Sequence, residues 1–122
     1  MLTVIRLLSQ TITPQVQADL TKIIDGIKVQ QGADLFLHPV SLIDVPDYRD
    51  IIKRPMDLSK ALGNLRAGKY PLAYLFVQDI CLIFENCRTY NDPQSDIFSL
   101  ANNLELLFFQ KLDSVLQKIK PM

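Results

Sequence analysis

Leu72-Ala73-Tyr74-Leu75-Phe76-Val77-Gln78-Asp79-Ile80-Cys81-Leu82-Ile83-Phe84-Glu85-Asn86-Cys87-Arg88-Thr89-Tyr90, cut off by Asn91-Asp92-Pro93, sets the period on which the rest of the chain is read. Phe76, Ile80, Ile83, Phe84 and Cys87 recur at intervals of three and four, so one face of a long helix turns toward a core. The triplet at 91–93 ends that helix, because proline lacks the backbone N–H and pushes the residue before it out of helical geometry. Downstream, a second long helix is expected from about Ser95 to Lys118, with Ile97, Phe98, Ala101, Leu104, Leu107, Phe108, Leu112, Val115 and Leu116 facing inward.

Upstream, Gly68 closes a shorter helix that begins at Asp57, a good N-cap, and carries the stripe Leu58, Ala61, Leu62 and Leu65. A first helix opens at Thr13-Pro14, the capping residue followed by the residue that tolerates a missing N–H. Its stripe is Val16, Leu20, Ile23, Ile24 and Ile27, and Gly32 is the expected stop. Between these two helices lies a long segment, about Ala33 to Met56, that holds Pro39, Pro46 and Pro55 and therefore no continuous helix. Loops of this length in a compact domain are often functional. Its apolar content (Leu35, Phe36, Leu37, Val40, Leu42, Ile43, Val45) leads us to expect a loop packed down onto the helices. No internal repeat, low-complexity tract or alternating strand pattern competes. Four amphipathic helices with one long connection predict an all-α four-helix bundle.

Composition narrows the function. With 122 residues, of which 48% are hydrophobic, the chain suffices for one domain with its own core. Thirteen basic residues balance thirteen acidic ones, so the basic excess typical of a nucleic-acid binder is missing and no direct nucleic-acid binding is expected. No apolar run reaches the ~18–20 residues of a membrane span. The first residues, interrupted by Arg6 and without a basic front end, make a poor signal peptide. Residues 1–12 are read either as an extension packed on the domain or as a remnant of a longer protein, with the domain at 13–120. Cys81 and Cys87 are six residues apart, so on a helix at ~100° per residue they face different directions and form neither a bridge nor a metal pair. Neither a glycine-rich phosphate loop, a metal cluster nor a nucleophile–base pair is visible, and we expect no enzyme, metal or cofactor.

Three ordered motifs then gain a common meaning. Val45-Pro46-Asp47-Tyr48 leads into Ile51-Ile52-Lys53-Arg54-Pro55-Met56-Asp57-Leu58; Asn86-Cys87-Arg88-Thr89-Tyr90-Asn91 closes the long helix; Phe36-Leu37-His38-Pro39-Val40 opens the loop. Together, over roughly Pro14 to Lys118, they resemble a bromodomain. The resemblance implies a left-handed bundle of helices Z, A, B and C, with a long ZA loop and a short BC loop. It implies that Asn91 donates its side-chain amide to the carbonyl of an acetylated lysine and that Tyr48 reaches the same carbonyl through a water. Val40, Val45, Tyr90 and Ile97 would line the walls, with Ile97 as gatekeeper, and Phe36 would form the floor. An acetylated histone tail or other acetylated protein would be the partner, bound without chemistry, in the nucleus, by a monomeric module of a larger protein or complex.

Elementary chemistry runs the same way. Acetylation removes the lysine charge and leaves an amide and a methyl. A reader of it needs an amide donor among apolar walls, and the Asn carboxamide supplies one. One departure stands out: the Trp-Pro-Phe shelf frequent in the family reads Asp34-Leu35-Phe36 here, and the chain has no tryptophan. The alternative function is a bromodomain-like scaffold with a degenerate pocket. His38, the only histidine, is read as a loop or packing residue. Asp44, Asp47, Asp92 and Asp96 are read as solvated loop and cap charges, or as an acidic rim that Arg49 and Arg88 offset.

Overall fold

The computed structural model describes residues 9–118, with side chains through residue 115. Five α-helices and one 3-10 turn follow each other: α1 Pro14–Lys28, the 3-10 turn Ala33–Phe36, α2 Tyr48–Ile51, α3 Leu58–Arg66, α4 Ala73–Tyr90 and α5 Asp96–Lys118. The four longer helices close on one another as a four-helix bundle, with α1 against α3 and α5, and α4 against the same two. The core is where the four stripes meet, and Leu20, Ile24, Leu58, Phe76, Phe84 and Phe108 are fully buried in it.

Each helix start has a local cause. The Thr13 hydroxyl accepts from the Val16 amide at 3.2 Å ahead of Pro14, and Asp57 Oδ1 accepts from the Lys60 amide at 2.8 Å. Such caps each contribute about 1 kcal/mol. Gly68, at φ +72°, takes the left-handed step after α3. The first helix stops at Lys28, a turn short of the expected Gly32. Gly32 has a different job. At φ +84° it starts the 3-10 turn, and a Cβ there would lie 2.6 Å from Leu100 Cδ2 on α5. Only glycine allows both the backbone sign and that approach.

The long loop is not packed down along its length, contrary to the expectation. Phe36 is buried and Leu37 and Val45 are half-buried, but Leu35, Val40 and Leu42 are exposed and Ile43 is 92% exposed. The reason is local hydrogen bonding. The Val45 amide donates to the Ser41 carbonyl at 2.9 Å, and this closed turn carries Leu42 and Ile43 at its tip, away from the bundle. Tyr48 and Ile52, just beyond, are the loop's buried anchors.

Residues 9–12 of the N-terminal segment run beside the start of α4. The Ala73 amide donates to the Gln10 carbonyl at 2.9 Å, and Ile12 packs on the core. The rest of that segment, residues 1–8, lies outside the described residues. Among the described residues no helix is long and apolar enough to cross a membrane.

Candidate functional site

Asn91 caps the C-terminal end of α4 in extended geometry (φ −99°, ψ 153°). Its backbone N–H and its side-chain Nδ2 both donate to the Cys87 carbonyl, at 3.0 and 2.9 Å. That double tie fixes the carboxamide. Nδ2 also lies 3.6 Å from the Cys87 sulfur, a weak acceptor. A stronger acceptor arriving at this helix end would therefore find a held, half-used amide donor.

At the Asn91 end of α4, contacts link Tyr48 to Tyr90 and Cys87 to Ile97. Tyr48, buried on α2, packs its ring on Tyr90, the last residue of α4, with centroids 5.1 Å apart. The Tyr90 hydroxyl donates to Asp47 Oδ1 at 2.8 Å, bridging loop and helix. Ile97, half-buried on α5, packs on the core, and its carbonyl accepts from the Cys87 thiol at 3.6 Å. Thus Cys87 touches both Asn91 and the segment that carries Ile97. Phe36 is set edge-on to Phe84, 5.6 Å between centroids, one helical turn before Cys87. Val45 reaches Tyr48 through its carbonyl, which accepts the Tyr48 amide at 3.2 Å. Val40 lies further out on the same loop and is largely exposed.

The hydroxyls and the thiol at this end stay protonated at neutral pH. Burial, with a smaller repulsion from Cys87, raises the Tyr48 pKa. Tyr90 is raised first by its hydrogen bond to Asp47. Burial pushes the Cys87 thiol up. The end of the bundle is therefore neutral and hydrogen-bonding at its base, with the Asp47 carboxylate exposed at the edge. Among the described residues, no cluster of His, Cys, Asp or Glu could hold a metal ion.

Asp47 is exposed on the loop, and its carboxylate receives the Tyr90 hydroxyl. One expectation needs correction. Arg88 does not offset an acidic rim, because its guanidinium is bound across to α5, 3.1 Å from Glu105 Oε1 and 3.1 Å from Asn102 Oδ1.

A polar network below the loop escaped the sequence reading. Asp79, buried, accepts from Arg54 Nη2 at 2.8 Å and from the Tyr70 hydroxyl at 2.7 Å. Asn86, also buried, donates from Nδ2 to the Arg54 carbonyl at 2.9 Å. Arg54 is the end of the loop, so both bonds tie the loop to α4 behind Tyr48. The signal was in the sequence. Asp79 sits three residues after Phe76 and four before Ile83, a carboxylate inside an apolar stripe, which is rarely buried without a partner.

A four-helix bundle with a long first loop, an asparagine-capped helix end and a tyrosine pair joining loop to helix defines the fold and the candidate site. The chain matches the family model described as Bromodomain over residues 20–103, and it belongs to that family. It is 38% identical over 89 residues to bromodomain adjacent to zinc finger domain protein 2B of Gallus gallus and of Homo sapiens, covering 73% of this chain. It is 33% identical over 101 residues, 83% of this chain, to nucleosome-remodeling factor subunit NURF301 of Drosophila melanogaster. In each case the match spans 4% of the relative's length.

Proposed function

We propose that this domain, residues 13–120, binds acetylated lysine on a histone tail or another acetylated protein and performs no chemistry on it. The observation that carries the reading is the Asn91 carboxamide, held by the Cys87 carbonyl with the Cys87 sulfur as its other, weak acceptor, at the helix end where Tyr90 packs on Tyr48. The acetyl carbonyl accepts that N–H. Tyr48 contributes its hydroxyl through a water. Val40, Val45, Tyr90 and Ile97 form the walls, and Phe36 the floor.

Selectivity follows from charge. An unmodified lysine would carry its ammonium into a site with no buried counter-charge, at a cost of several kcal/mol, on the order of 2–5. Affinity for a single acetyl-lysine is modest. About three methylene equivalents at ~0.8 kcal/mol each plus one net hydrogen bond of ~1 kcal/mol give a dissociation constant in the micromolar-to-millimolar range once flanking contacts are added. Exposed Asp34 and Leu35 in place of a Trp-Pro shelf change the wall next to this site, so flanking-residue preference departs from shelf-bearing relatives. A nuclear setting, within a larger chromatin protein, fits the relatives that the chain resembles.

The test is a calorimetric titration with peptides differing only in acetylation of one lysine, run on the native domain and on Asn91→Ala. The reading predicts binding of the acetylated peptide alone, lost in the variant while its circular dichroism is unchanged. Equal titrations for both peptides, or none for either, point to the scaffold alternative.

A further inference from the structure

The loop between the 3-10 turn and α3 is held to the bundle in an uneven way. At its start the Leu37 carbonyl accepts the Ser59 amide at 3.1 Å, and at its end Arg54 is bound by Asp79 and Asn86. Between them, residues 38–53 satisfy their hydrogen bonds within the segment: Asp44 and Val45 to Ser41, Tyr48 to Val45, Ile52 to Tyr48, and the Lys53 ammonium to the Asp50 carbonyl. Among the described residues, one hydrogen bond leaves this segment for the bundle, from the Tyr90 hydroxyl to Asp47. It spans 43 residues of sequence and sits between the two groups the ligand must meet: Asp47 adjoins Tyr48, and Tyr90 adjoins Asn91.

We propose that the Asp47–Tyr90 hydrogen bond is a latch that holds residues 38–47 against the end of α4 and, by fixing the stretch of loop that carries Val40 and Val45, sets the affinity of the site. This rests on the acetyl-lysine reading of the site. The physical reason is the contrast along the loop. Segments with few buried contacts and self-contained hydrogen bonds open at low free energy; residues 38–44 are exposed, the turn at Ser41–Val45 sends Leu42 and Ile43 outward, and the buried anchors Tyr48 and Ile52 come only after Asp47. The ring contact between Tyr48 and Tyr90 is short-ranged and gives the loop no directional tie. The latch does, through a hydroxyl donating to a carboxylate, the stronger kind of hydrogen bond. A ligand that needs this stretch of loop in place binds only the closed fraction, so opening weakens it in proportion. The raised Tyr90 ionisation is a second trace of the same bond, since Asp47 is its leading cause.

The experiment compares the native domain with Asp47→Ala, Tyr90→Phe, the double variant and Asp47→Asn. Tyr90→Phe keeps the ring on Tyr48, and Asp47→Asn keeps an acceptor for the hydroxyl. Two readouts are taken: calorimetric affinity for a short peptide with one acetyl-lysine, and amide hydrogen exchange of Asp44 and Val45 in the free protein, with the buried Ile52 as control. Each single loss is expected to weaken binding about fivefold to tenfold and to speed exchange by a similar factor. The double variant should fall no more than about twofold below the weaker single, because both remove one bond. Asp47→Asn should fall between the native domain and Asp47→Ala, because the hydroxyl keeps an acceptor but loses the charge-assisted part of the bond. Additive losses, an Asp47→Asn as weak as Asp47→Ala, or unchanged loop exchange would overturn the latch. If the native domain itself ignores the acetylated peptide, the acetyl-lysine reading fails, and the exchange data still decide whether the latch exists.

Discussion

Asp79→Ala is the substitution whose cost the structure allows us to work through most fully. The carboxylate serves two donors with different surroundings. Arg54 is 69% exposed at its side chain, so after loss of the ion pair its guanidinium returns to water, and that half is worth only about 0–1 kcal/mol. Tyr70 is buried, and its hydroxyl has no other acceptor; Asn64 Nδ2, at 3.5 Å, donates to it. A buried donor left without an acceptor costs about 1–3 kcal/mol. The sum, about 1–4 kcal/mol, corresponds to a fall in Tm of about 4–16 °C for a domain of this size, at ~4 °C per kcal/mol. Thermal and urea unfolding followed by circular dichroism measure it. Tyr70→Phe, which removes the donor together with its need, should cost no more than about 1.5 kcal/mol, and Arg54→Ala less than Asp79→Ala. If Arg54→Ala proves as damaging as Asp79→Ala, the assignment of the cost to the buried hydroxyl is wrong.

Other expectations follow from single contacts. Gly32→Ala should destabilise by about 1–3 kcal/mol in urea unfolding, and adding Leu100→Ala should recover only the steric part, since the backbone at φ +84° stays strained. Burial, helped by Glu105 and Glu85, pushes the Cys81 thiol from 9.0 up to about 11. The unfolded thiol ionises first, so its share of stability is intact below pH 9 and is lost as pH rises toward 11; Cys81→Ala should flatten that limb of the stability–pH curve. The same shift makes alkylation of Cys81 at neutral pH slower than that of a free thiol, as mass spectrometry would read, and an equal rate would contradict the burial. Ligands that depend on stacking against a tryptophan shelf should bind weakly here, and undiminished affinity for one would contradict the role given to Asp34 and Leu35.

Periodicity made the bundle legible because helix stripes are a property of neighbouring residues. Thr13-Pro14, Asp57 and the Asn91-Asp92-Pro93 stop mark ends that depend on local capping chemistry, and they fall where the structure has them. Gly32 is instructive in the other direction. A glycine after a helix reads as a stop, but its use here is set by Leu100, far along the chain, which no local pattern reports. The same holds for the loop. Its apolar residues suggested burial, yet a turn closed on Ser41 sends Leu42 and Ile43 outward. The gathering of Tyr48, Tyr90 and Asn91 at one end of α4 was foreseen only through the resemblance, since 43 residues separate Asp47 from Tyr90. Asp79 and Arg88 found partners on other elements, Arg54 and Glu105, and pairings of that kind become visible only once the helices are packed.

The most direct measurement follows the side-chain amide of Asn91 by NMR while a peptide with one acetylated lysine is added. The account predicts that the two Asn91 Nδ2 proton signals shift together with the Tyr48 and Tyr90 resonances, and that the unmodified peptide leaves all of them in place. Shifts that map to another face of the bundle while the Asn91 amide stays still would contradict it.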